Sequence, residues 1–262
     1  MLRNKNLHEM KKVVILIYGA LAYIVFLVVF LYAIGFVGNI IVPKSIDTGS
    51  ETTLFSSILI NVILLSVFAL QHSIMARPKF KEWFNSIFSR SMERSTYILL
   101  SSLALILIYW QWRPITTIVW ETENTILSNI ITGIFFLGWL IVLLSTFMIN
   151  HFELFGLAQI FDNLKNKQTA NPKFQTNYLY KIVRHPIMLG FIIAFWATPI
   201  MTVGHLLFAL VTTIYIFIAV KYLEEKDLRK FIGEKYNTYQ KEVPMLIPFT
   251  KKQEVDIGTN HT

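Results

Sequence analysis

Residue types that can do chemistry gather at the ends of apolar runs in this chain. In "YKIVRHPIMLG", Tyr180 to Gly190, the trio Arg184, His185 and Pro186 stands where a helix must start. Proline at a first helical position lacks an N–H that would be orphaned there anyway, and it holds the residue before it extended, so His185 sits at a helix mouth. Helix N-termini offer open N–H groups and a partial positive charge, which Arg184 and His185 reinforce, and the point suits a carboxylate or phosphate. Glu224 and Glu225 leave the far end of the apolar run that Pro186 opens, and a helical hairpin returns them beside Arg184 and His185. Such a site holds an anion binder next to two cation acceptors. On these residues alone, snorkelling of Arg184 to lipid headgroups and capping by His185 account for the stretch as well.

Composition bounds the elements that position these groups. The chain has 262 residues, 54% hydrophobic and 15% charged, with a mean hydropathy of +0.52, too apolar for the surface of a soluble domain of that length. It contains no cysteine, which excludes disulfides, thiolate metal ligands and a cysteine nucleophile. Val13 to Val37 is 25 residues without a charge; as a helix this is about 37 Å, enough to cross a bilayer with tilt and too long for a removable signal peptide. Further spans are expected at 54–70, 96–112 and 126–149. Pro186 to Val220 carries no formal charge and is long enough for two spans, 187–203 and 205–220, a tight hairpin broken near Pro199 and Gly204. The expected fold class is all-α: a polytopic transmembrane helix bundle of five to six spans, a single domain over 1–262. A cytoplasmic amphipathic helix over 221–243 closes it, with Leu228, Phe231, Tyr236 and Tyr239 on its buried side.

With six spans, 22 of the 24 Lys and Arg fall on one side and only Lys44 and Arg113 on the other. That bias puts both termini, and every polar cluster named above, in the cytoplasm. The net charge of +8 then follows from topology and anionic lipid, and no nucleic acid is implied. Trp110, Trp112, Trp120, Trp139 and Tyr109 fall at or near span ends, as an interfacial belt would. There is no Gly-x-Gly-x-x-Gly between strand and helix and no Walker lysine motif, so soluble nucleotide-binding folds are excluded. No metal is expected: the nearest approach to a ligand cluster, His151 with Glu153, is spaced by two residues and does not share a helix face. Span centres are aliphatic and aromatic, which counts against a transporter.

"RHPIMLG", followed by the Glu224–Glu225 pair and by "GEKYNTYQKEVPMLIPF", resembles the C-terminal signature of the isoprenylcysteine carboxyl methyltransferase superfamily of integral-membrane methyltransferases. Arg184, His185, Pro186 and Gly190 match its Arg-His-Pro-x-Tyr-x-Gly core, and Met188 stands in place of the tyrosine. The blocks "ERSTYILLSSLALILIYWQWRPI", "NHFELFGLAQ" and "FIIAFWATPIMTVGHLLFAL" look like the bacterial methanethiol S-methyltransferase branch, which makes dimethyl sulfide. The likeness runs from about Val13 to Phe249. It implies an S-adenosyl-L-methionine-dependent enzyme of the bacterial cell membrane, with no metal and no obligate protein partner. Its acceptor would be a small apolar thiol, methanethiol and also hydrogen sulfide; an isoprenoid, lipid or protein acceptor, or a non-enzymatic assembly or transport role, is the alternative. The resemblance implies cofactor contacts at Gln159, Tyr180, Arg184, His185, Pro186, Ile187, Met188, Gly190, Glu224 and Glu225. Carboxyl methyltransferases hold their substrate carboxylate with an arginine just before the acidic pair. Here Val220 stands at about that position, which fits an acceptor lacking a carboxylate.

Methyl transfer to a thiol needs alignment, a dry site and a base, because the thiolate is the nucleophile. Of six histidines, His8 and His261 lie in the tails and His205 at the hairpin tip. His151 is the first expectation for the base, against span-end capping; His72, with Tyr97 as a hydroxyl partner, is the second.

Overall fold

The computed structural model describes residues 2–167 and 174–250 of the chain; His261 lies outside them. Apolar, charge-free runs become long helices: α1 (Leu2–Gly38), α2 (Leu54–Met75), α4 (Glu93–Gln111), α5 (Thr125–Ile149) and α9 (Val203–Ile218). Each of these belongs to one of the five segments long and apolar enough to cross a membrane. Side-chain caps start three of them: Thr53 accepts from Ser56 N–H, Asn124 from Leu127 N–H and Thr202 from His205 N–H. A short amphipathic helix, α3 (Pro78–Ile87), links α2 to α4.

The helices close a ring. α1 packs on α4, α4 on α2, α2 on α9, α9 on α8 (Pro186–Trp196), and α8 on α5. Phe30 of α1 meets Trp139 of α5 edge-on at 5.4 Å and completes the circuit. Val14, Ile24 and Leu31 of α1 and Ile130 and Leu137 of α5 face outward and exposed, as lipid-facing positions do. Phe36, Ile108 and Trp112 are fully buried inside. Trp112, Trp139 and Tyr109, expected in an interfacial belt, are core residues: their rings pack on Phe208, Phe191 and Phe36, while Trp110 and Trp120 stay exposed.

The segment 187–203, expected as one span, is helical over only part of its length. α8 has 11 residues, about 16 Å at ~1.5 Å per residue, half a bilayer core. Beyond it the chain runs extended into β2 (Ile200–Thr202), which pairs antiparallel with β1 (Ile118–Glu121), the connection between α4 and α5. Val203 N–H to Thr117 C=O (2.8 Å) and Gly204 N–H to Ile115 C=O (3.0 Å) pin the hairpin tip there. Past the end of the helix, Pro199 keeps the chain extended and the strand carries it on to the tip.

Residues 221–243 are not one helix. α9 runs into a π-helical turn (Ala219–Glu224), then α10 (Glu225–Ile232) and α11 (Glu234–Glu242), separated by Gly233 at φ +71°. Tyr236 and Tyr239 are buried with Val243 against Leu228, whereas Phe231, expected on the buried side, is exposed. The break at Gly233 turns α11 back beneath α8, and Phe231 stays outside the fold.

Candidate active site

Arg184, His185 and Glu225 form a buried knot at the mouth of α8, each less than a tenth exposed. The Arg184 Nε–H and Nη2–H groups donate to Glu225 Oε1 at 2.7 and 2.5 Å, and Nη1 donates to the carbonyls of Gln240, at 3.2 Å, and Val243. His185 Nε2 stands 3.2 Å from Glu225 Oε1, Gln240 Nε2–H donates to Oε2 at 2.8 Å, and the Tyr236 hydroxyl donates to Oε1 at 3.5 Å. The backbone N–H groups of Arg184 and His185 donate to Pro244 and Met245 C=O. Four of the five guanidinium N–H donors are thereby engaged within the protein. Arg184 is a strut that fastens the C-terminal segment to α8, and its open face toward an external anion, expected from sequence, is largely closed.

Glu224, next in chain, behaves differently. Its carboxylate is 44% exposed, and His185 Nδ1 stands 3.6 Å from it. The π-helical turn aims these consecutive acids at different surroundings; such turns recur at functional sites. Glu224 lies within electrostatic reach of Tyr97 on α4, Tyr215 on α9 and Tyr180 in the 3-10 turn (Tyr178–Lys181) that precedes α8.

His72 and Tyr97 meet as expected. His72 Nε2 is 2.7 Å from the Tyr97 hydroxyl and Nδ1 is 3.2 Å from Ser101 Oγ, one helical turn on from Tyr97. Phe68 stacks on the imidazole at 5.2 Å. Beside this triad, Ser73 Oγ stands 3.0 Å from the Tyr215 hydroxyl, and Arg77 bridges α2 to α10 by a 2.9 Å contact with Asp227. Neither Tyr215 nor Ser73 was singled out by sequence, where a hydroxyl inside an apolar run carries no pattern.

His151 is enclosed. It starts α6 (His151–Leu154), and Asn150 at φ +99° turns the chain out of α5. Phe147 stacks on it at 4.4 Å and Phe155 closes another side at 4.7 Å. Thr146 Oγ1 donates its one hydrogen to Leu143 C=O at 2.7 Å, so the 2.8 Å contact with His151 must run from His151 Nδ1–H to Thr146. Nε2 is then the acceptor of the Tyr23 hydroxyl at 2.7 Å. Burial lowers the His151 pKa and keeps it neutral, with both nitrogens already engaged.

The remaining expected contacts divide. Gln159, on α7 (Leu157–Leu164), donates Nε2–H to Glu153 C=O, and its buried Oε1 has no partner among the described residues. Tyr180 is buried, its hydroxyl directed at Ser145 C=O, with burial pushing its pKa up. Pro186 starts α8 and His185 makes no side-chain cap, so the first-turn N–H groups of Ile187 and Met188 lack intrahelical partners. Met188 packs against Ile216, Val220 and Leu246. At Gly190 a Cβ would lie 2.7 Å from Gly138 O and 2.9 Å from Val142 N, so α8 rests directly on α5. His205 is fully buried and donates Nε2–H to Phe195 C=O, 2.9 Å away, inside the hairpin. Among the described residues no three His, Asp or Glu side chains gather as a metal site would require.

A ring of apolar helices with buried ionisable groups gathered at one end defines a polytopic integral-membrane protein with a polar site. The chain belongs to the NnrU protein family, which matches residues 59–233. It is 52% identical to methanethiol S-methyltransferase 1 of Bradyrhizobium diazoefficiens over 92% of this chain and 84% of that protein. It is 50% identical to the methanethiol S-methyltransferase of Mycobacterium tuberculosis over 92% of this chain and 98% of that one. Nurim of Bos taurus is 29% identical over 63% of this chain and 66% of its own length. No solved structure matches the chain significantly.

Proposed function

We propose that this chain is an S-adenosylmethionine-dependent methyltransferase that converts methanethiol to dimethyl sulfide. One observation carries the reading: about half of all residues are shared, over nine-tenths of the chain, with several proteins named methanethiol S-methyltransferase. Those names give no support to hydrogen sulfide or to isoprenoid, lipid or protein acceptors.

The residues present fit the methyl donor. Glu224 offers a half-exposed carboxylate to the ammonium or sulfonium, the first-turn N–H groups of Ile187 and Met188 offer an anion seat at a helix N-terminus, and Gln159 Oε1 is buried and unpartnered among the described residues. When bound, S-adenosylmethionine supplies a methyl group on a positive sulfur, activated for in-line displacement. Tyr97 and His72 take the proton: the thiol S–H is given to the Tyr97 oxygen as the Tyr97 hydrogen passes to His72 Nε2. His72 is preferred to His151 because Arg77, five residues on, ties the end of α2 to Asp227 of α10, just past the acidic pair, whereas His151 is sealed among Tyr23, Thr146 and two phenylalanines. The aliphatic walls exclude water, which strengthens each of these charge interactions. Both termini and the site are assigned to the cytoplasm, on the 22-to-2 distribution of basic residues.

The test is purified full-length protein with labelled S-adenosylmethionine and methanethiol. Labelled dimethyl sulfide in the headspace supports the proposal; donor binding without volatile product rules out the thiol acceptor, and no donor binding rules out the methyltransferase.

A further inference from the structure

Two tyrosines are held in the same manner from a single helix. α2 turns consecutive residues toward its two neighbours: His72 meets Tyr97 of α4 at 2.7 Å, and Ser73 meets Tyr215 of α9 at 3.0 Å. Tyr97 and Tyr215 lie within electrostatic reach of one another, of Glu224 and of Arg77. The two phenols are thereby anchored at adjacent residues, at one level of α2.

Hydrogen counting gives the two oxygens different capacities. When the Tyr97 O–H donates to His72 Nε2, its oxygen lone pairs stay open to an incoming S–H. Ser73 and Tyr215 own two hydroxyl hydrogens and share one bond, which leaves one O–H without an acceptor among the described residues. One phenol oxygen is an acceptor and the other pair has a donor to give.

We propose that Tyr215, steadied by Ser73, donates a hydrogen bond to the acceptor sulfur, so that a small thiol is seated between the Tyr97 and Tyr215 oxygens. This rests on the methanethiol reading above and adds a residue to it. The thiol donates S–H to Tyr97 and accepts from Tyr215. As the proton passes through Tyr97 to His72, the sulfur loses its donor and keeps the Tyr215 bond, which holds the thiolate in place. The new S–C bond then forms as the C–S bond of the sulfonium breaks; the positive sulfur becomes a neutral thioether, and the released proton resides on His72. A hydroxyl pair between helices in an apolar bundle also serves as packing glue, so the experiment must separate the two roles.

Tyr215→Phe in the full-length protein should raise the methanethiol KM by about tenfold, the weight of one hydrogen bond to an ionised partner. The dissociation constant for S-adenosylhomocysteine should stay within about twofold, and the thermal midpoint should be unchanged. Ser73→Ala keeps the phenol and should raise KM less, and Ser73→Thr, which restores the hydroxyl, should recover it. An unchanged KM in Tyr215→Phe overturns the proposal, as does a loss confined to the thermal midpoint. If Tyr215→Phe does not fold, equal KM values in Ser73→Ala, Ser73→Thr and the wild type overturn it. Wild-type protein producing no dimethyl sulfide would instead defeat the parent reading.

Discussion

Glu224 and Glu225 are neighbours in chain and opposites in role. Glu225 receives Arg184, His185, Gln240 and Tyr236, all inside the protein. Taking its charge away leaves a buried guanidinium without its counter-ion, which costs roughly 3–5 kcal/mol. Glu225→Gln should therefore lower the thermal midpoint sharply in detergent, with donor binding lost as a consequence of unfolding. Glu224→Gln should leave the midpoint within about a degree and weaken S-adenosylhomocysteine at least tenfold by calorimetry, since removing a charge-assisted contact costs about 1.5–3 kcal/mol. If Glu224→Gln binds normally, the open carboxylate is not the donor's partner. The sequence made the Arg184–Glu225 meeting legible through the hairpin. It could not show that Gln240 and Val243 carbonyls would occupy the same guanidinium, because a contact 56 to 59 residues away leaves no local pattern. Met188 also becomes intelligible here. It lies against Ile216, Val220 and Leu246, an apolar pocket that a flexible thioether fills without needing the hydrogen-bond partner a tyrosine would require.

At the scale of elements, α8 depends on contact with α5 more than on its own length. Gly190 and Ala194 press on Gly138, and the atoms facing each missing Cβ include backbone atoms that cannot move aside. Small residues one turn apart let two helices approach in this way. Gly190→Ala should force α8 off α5 and destabilise by about 1–3 kcal/mol or more, the usual cost of overpacking. Gly133→Ala, on the same α5 but with nothing within 4 Å of the added carbon, should be neutral or stabilise by about 0.5–1 kcal/mol through helix propensity. Thermal unfolding of the two variants side by side measures the difference; equal midpoints would mean that the α5–α8 contact is not tight. Gly190 sits inside the recognised motif, and its neighbours in chain invited a ligand role, but a motif letter does not say which face of a helix it occupies. The end of α8 was equally hidden. Within a charge-free run nothing marks where a helix yields to a strand, and β1, its pairing partner, lies about 80 residues earlier in chain.

The whole molecule turns on whether α8 counts as a crossing. Five helices are long enough alone, and five crossings would put the termini on opposite sides. β2 pairs with β1, however, and β1 lies between the end of α4 and the start of α5, the end of the bundle remote from Arg184 and Glu225. The α8–α9 tip therefore lies at the far end of the bundle, and on the topology proposed above α8 with its extended continuation is the sixth crossing. Helix length by itself gives the other parity; the pairing of the two short strands agrees with the two spans expected between Pro186 and Val220. Six crossings would put both termini on one side, which the distribution of basic residues makes the cytoplasm in that proposal. Reporter fusions should show it: a cytoplasm-active reporter should work at either terminus, and a reporter that folds only outside should work when inserted at Gly49 in the α1–α2 loop. A C-terminal reporter active outside would reduce α8 to a re-entrant helix and would also place Glu224 and His185 opposite the N-terminal end of α1. Since Ser73–Tyr215 and Arg77–Asp227 hold α9 and α10 to the end where α2 finishes, that result would count against these contacts together with the topology.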